Sequence, residues 1–136
     1  MMRNSREIGY ALLRITLGVM FATYGIGKFR MGIGNFAPIL EKEFTGKLPL
    51  ILVSPFARIL PFAEVLIGIL LILGLFTAFA LLLAGLLMMA LVFGTAMTGQ
   101  PGTVAQNVTF GLVVFVLFWA LENNGYSLDR LRQGRM

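Results

Sequence analysis

Arg14 and Glu64 each lie well inside a long apolar stretch, and Tyr24 and Lys28 stand four residues apart at the end of the first such stretch. Ionisable groups surrounded by hydrocarbon are costly; they turn toward a bundle interior or a cavity, pair with one another, and mark a functional locus by default. A buried carboxyl near a membrane surface can relay a proton, while a phenol and an ammonium beside it can hydrogen-bond a carbonyl-bearing ligand. Asn107 and Glu122, at the two ends of the last apolar stretch, complete the polar set. Cysteine and histidine are both absent from the 136 residues, so the chain has no thiol for disulfide exchange and lacks the usual ligands of zinc or haem iron. Neither a metal nor a haem is expected. Any electrons that pass through the protein would travel on a bound organic molecule or on a partner.

The elements that position these groups follow from hydropathy. Hydrophobic residues make up 58% of the chain and charged residues 12%, with a mean hydropathy of +0.89, outside the usual range of soluble domains. The expectation is an all-α polytopic membrane protein, a single domain over 1–136. It is an antiparallel bundle of four transmembrane helices, at about 8–28, 55–76, 78–97 and 104–123. The loop 29–54 carries a short interfacial segment at 36–45, in which Asn35 caps a turn, Phe36, Ile39, Leu40 and Phe44 share one side, and Gly46 ends it. That segment anchors in the interface or closes over one end of the bundle. Ser54-Pro55 reads as the start of the second span and Asn124-Gly125 as the end of the fourth.

Glu64 does not prevent insertion. An acid near a helix centre costs about 3 kcal/mol, whereas the thirteen Leu, Ile, Phe and Val between Ile59 and Phe76 together return roughly 6 kcal/mol. The first stretch is too long for a cleavable leader and no small-residue cleavage site follows it, so it is expected to remain as a span. The net charge of +5 comes without a basic run or an RNA-type aromatic pattern, so nucleic acid is not an expected partner; the bilayer is. Basic residues divide five to five: Arg3, Arg6, Arg130, Arg132 and Arg135 on the terminal side, Lys28, Arg30, Lys42, Lys47 and Arg58 on the loop side. The closeness of the three tail arginines to the last span favours cytoplasmic termini.

Helical geometry then sorts the polar groups by depth and face. Gly18, Phe21, Gly25 and Lys28 fall on the face of Arg14, so small residues line a face that another helix can approach closely, and Arg14 looks into the bundle. Pro61 precedes Glu64 by three residues, and Gly68 follows it by one turn, leaving room for a neighbouring helix or a small ligand. Arg14 and Glu64 lie about 12 Å apart along the membrane normal, and each leans toward its own helix start. Two clusters are expected in place of a direct bridge: Glu64 with Tyr24, Lys28 and Asn107 on the loop side, Arg14 with Glu122 as a structural pair on the terminal side. Beside Lys28, Glu64 would stay ionised and orient a donor; alone in an apolar pocket it would be neutral and could donate a proton.

The segment LLRITLGVMFATYGIGKF, with its Arg, spaced glycines and Gly-x-x-Lys ending, resembles the first helix of DoxX-like membrane proteins. The stretch AEVLIGILLILGLFTAFALLLAGLLMMA is similar to their second and third helices, and GYSLDRL to their C-terminal end, so the resemblance covers almost the whole chain. Arg14, Gly25, Lys28, Glu64, Gly68 and Gly74 match the recurring pattern; Tyr24 stands where many members carry His. The resemblance implies a four-helix bundle in a bacterial or archaeal cytoplasmic membrane. It also implies association with redox enzymes, including quinone-linked oxidoreductases. On that reading Glu64 is the catalytic relay, while Tyr24, Lys28, Glu64, Gly68 and Asn107 hold a quinone headgroup. A soluble or peripheral oxidoreductase subunit would supply the electrons. The chain itself would not be an autonomous enzyme. A non-catalytic scaffold or assembly factor, whose polar pairs only join helices and bind partners, is the alternative, and passage of a small solute through a homo-oligomer the third possibility.

Overall fold

The computed structural model describes residues 2–47 and 49–129, and among these all regular structure is helical. The order is α1 (Met2–Met31), α2 (Ile33–Glu43), α3 (Leu50–Leu73), α4 (Thr77–Met97) and α5 (Pro101–Trp119), followed by a 3-10 turn at Leu121–Asn123. Four of these helices, α1, α3, α4 and α5, are long and apolar enough to cross a membrane. The arginines Arg130, Arg132 and Arg135, on which the expected orientation rests, lie outside the described residues.

Several boundaries differ from the sequence reading, α1 starting six residues earlier, at Met2, and α5 three earlier, at Pro101, among them. The second span begins at Leu50, behind Pro49, so Ser54 and Pro55 lie within α3 and the cap is not Ser54. Pro49, with an extended ψ of 138°, is the residue from which the helix departs, and Pro55 falls inside it. The helix α2 begins at Ile33 behind Gly32, whose φ of 93° lets the chain leave α1 sharply, and the Asn35 amide instead donates to the Met31 carbonyl at 2.8 Å. The fourth span ends at Trp119 and is followed by a 3-10 turn at Leu121–Asn123, so Asn124-Gly125 does not end the helix itself, and Asn124 Oδ1 accepts from Arg14 instead.

Helices α1 and α3 form the tightest pair. A Cβ at Gly68 would lie 2.5 Å from the Ala22 nitrogen and one at Gly18 2.8 Å from the Gly68 carbonyl, while a Cβ at Gly25 would meet Val65 N at 2.9 Å and Pro61 O at 3.0 Å. The two backbones touch because these three residues have no side chains. The room beside Gly68 is therefore taken by α1. The core continues from this seam through Leu17, Phe21, Ile67 and Leu71 to Leu81 and Ala84 of α4 and Leu117 of α5. Tyr10 ties α1 to α5 by donating its hydroxyl to the Leu117 carbonyl at 2.7 Å. The amphipathic α2 lies against α3, burying Ala37, with Phe44 just beyond its end packed against Gly94; Ile39, assigned to the same face from sequence, points outward and is 49% exposed.

Candidate functional site

The loop-side centre is an ion pair between the two tightest helices. Lys28 Nζ donates to both Glu64 oxygens at 2.8 Å, and the Glu64 side chain is only 4% exposed against 21% for Lys28. The close approach at Gly25, one turn before Lys28, brings this part of α1 against Pro61 and Val65 and hence beside Glu64. The ammonium also lies 5.9 Å from the Tyr24 ring centroid and 5.6 Å from that of Phe36 on α2, distances at which a ring face still attracts a cation. From sequence, Phe36 is only one residue of an apolar face. Its role is visible only once the Gly32 turn folds α2 back beside the end of α1.

Of the residues expected around Glu64, the structure gathers Lys28 and places Tyr24 at its edge. Tyr24 is 46% exposed. It does not gather the other two: Gly68 packs on Ala22, and Asn107 lines a separate groove between α4 and α5. Antiparallel depth does not determine azimuth, and α5 packs principally on α4.

The terminal-side centre is built around Arg14, 2% exposed, which faces the bundle as its glycine-lined face implied. Its partners are not those expected. Arg14 Nε donates to the Leu71 carbonyl at 2.8 Å and Nη1 to Asn124 Oδ1 at 2.6 Å, whereas the sequence reading paired it with Glu122. Leu71 lies in the last turn of α3, whose carbonyls lack intrahelical partners and carry the negative end of the helix dipole, so a guanidinium is well placed there. Asn124 passes the connection on by donating to Thr77 Oγ1 at 3.0 Å. At the same turn the Asp129 carboxylate accepts from the amides of Phe76 and Thr77, both at 2.7 Å, capping the positive end of α4. The segment 124–129 thus binds the α3–α4 hairpin and α1 together. Gly74, at φ 69°, is left without a side chain where Ser127 would collide with one at 2.5 Å.

Among the described residues every fully buried side-chain nitrogen and oxygen has a hydrogen-bond partner, and no group of three or more Asp or Glu could hold a metal ion. Fold and site together define a four-span helical membrane protein with a polar centre at each end of its bundle. Residues 6–106 match the family model described as methylamine utilisation protein MauE, and with about three quarters of the chain matched, the protein belongs to that family. This corrects the sequence-level resemblance: a small multi-span membrane family is right, but the family is MauE and not DoxX specifically. The match takes in Arg14, Lys28, Glu64 and the three seam glycines, and ends before Asn107, Asn124 and Asp129. No curated protein and no solved structure matches the chain.

Proposed function

We propose that the protein is a non-catalytic membrane accessory factor of a redox enzyme system, of the kind that the family name attaches to methylamine utilisation. In this role it assembles or holds an enzyme component at the membrane. The observation that carries the reading is the engagement of the buried acid: both Glu64 oxygens are on one ammonium, and the space beside Gly68 is filled by backbone. An acid so engaged joins helices and is poorly disposed to exchange protons with a substrate.

The exposed edge of Lys28, flanked by two aromatic rings, favours a second reading in which a quinone carbonyl meets the ammonium there. The two readings separate in cells whose own gene is deleted, with amine-dependent growth and the active enzyme as readouts. For an accessory factor, Glu64→Gln retains function in proportion to the protein that accumulates. The exchanged pair Lys28→Glu/Glu64→Lys likewise recovers function relative to either single reversal. Normal accumulation of Glu64→Gln with complete loss of function, together with quinone co-purifying near one per chain in wild type only, would overturn the accessory reading.

A further inference from the structure

The pair α4–α5 leaves an apolar groove of about 900 Å³ open to the bilayer, floored by Gly85 and Gly111 and walled on its outer side by Val108, Phe115 and Trp119. These three are 54%, 55% and 75% exposed, and α5 is the least covered of the four spans. At the loop-side end of the groove stands Asn107, 8% exposed, whose amide makes no hydrogen bond with any described residue. No buried atom of it is sealed off, so the amide is reached from the groove. The other buried polar side chains among the described residues are satisfied internally.

An amide in hydrocarbon calls for a partner, and its depth limits what that partner is. Asn107 is six residues beyond Pro101, about 9 Å into the span. Lipid headgroups and ester oxygens lie above that level, and acyl chains offer no donor or acceptor. The occupant therefore brings a polar group of its own to mid-leaflet depth.

We infer that a second copy of this chain occupies the α4–α5 groove, forming a two-fold dimer in which Asn107 pairs with Asn107 of the second copy. Copies inserted with the same orientation are related by an axis along the membrane normal, so each residue meets its counterpart's depth without adjustment. A carboxamide both donates and accepts, which makes it self-complementary across such an axis. The ridge of Val108, Phe115 and Trp119 then seats in the partner's groove, where the two glycines permit close approach. The inference does not depend on which enzyme the protein serves.

The chain's lack of cysteine makes the test direct. Single variants Val108→Cys and Phe115→Cys are oxidised in native membranes beside Ile59→Cys, an equally exposed position on α3. Disulfide-linked dimers from the two α5 positions and not from Ile59 are expected, with native mass spectrometry of the wild type in mild detergent giving twice the chain mass. Asn107→Leu, which keeps the helix apolar, should weaken the dimer roughly three- to twentyfold, the span of interhelical side-chain hydrogen bonds in bilayers. Three results would overturn the inference: equal cross-linking from α3 and α5, adducts of α5 with a different protein, or a monomer that retains a lipid or quinone lost on Asn107→Leu.

Discussion

Two helix pairs in this bundle carry glycines on their facing sides, and the glycines serve opposite ends. Along α1–α3, a Cβ at Gly18, Gly25 or Gly68 would fall within 3 Å of a neighbouring backbone atom, so the residues are small because another helix is there. Along α4–α5, a Cβ at Gly85 would come no nearer than 3.7 Å to Val114 and one at Gly111 no nearer than 4.0 Å to Met88, which is ordinary contact. The first pair is closed by an ion pair; the second ends in an amide that faces open space. A small-residue face in a membrane sequence therefore marks either a completed interface or one still to be filled. The distinction lies in distances that periodicity does not contain.

Substitutions separate the two cases, beginning with the charged seam. Lys28→Met strands a carboxylate that is 4% exposed, and should cost about 3–5 kcal/mol, read as a large drop in the denaturant midpoint of the purified protein in detergent. Gly68→Ala forces apart two backbones and should cost about 1–3 kcal/mol in the same titration. Glu64→Gln is milder, on the order of 1–2 kcal/mol, because the amide oxygen can still accept from Lys28, whose less buried ammonium is also within reach of the headgroups. A result in which Glu64→Gln is worse than Lys28→Met would show that the lysine, and not the acid, is the trapped charge. Smallest of all, Gly85→Ala and Gly111→Ala should leave the midpoint of the monomer, measured at a dilution in detergent where the proposed dimer has dissociated, within about 0.5 kcal/mol of wild type, since within one copy the new methyl groups meet only ordinary contacts. A loss of 2 kcal/mol at either would place that pair in the same class as α1–α3.

Much of this arrangement was legible in the residues. Span count, helical class, the inward face of Arg14 and the meeting of Lys28 with Glu64 all follow from hydropathy, helical pitch and antiparallel depth. What those rules leave out is rotation of one helix about its axis relative to a helix not adjacent in sequence. Asn107, expected beside Glu64, lines the α4–α5 groove for that reason. The latch of Arg14 to Asn124 spans 110 positions; Glu122 attracted attention as the nearest opposite charge, but a carboxamide and an α-helix carbonyl serve a buried guanidinium as well, and neither announces itself by charge. The Asp129 cap was similarly hidden, since it acts on the start of a helix 52 residues earlier.

The latch also gives the bundle an order of completion in time. Arg14 enters the membrane ahead of its partners, and the first of them, the Leu71 carbonyl, follows 57 residues later, within about 3–11 s at ordinary translation rates. Asn124 and Asp129 are among the last described residues to leave the ribosome. Until then α4 has no carboxylate at its first turn, and the guanidinium holds only one of its two partners. For those seconds the spans can be inserted while the bundle is still unlocked, which is the interval in which a partner helix has the freest access to them.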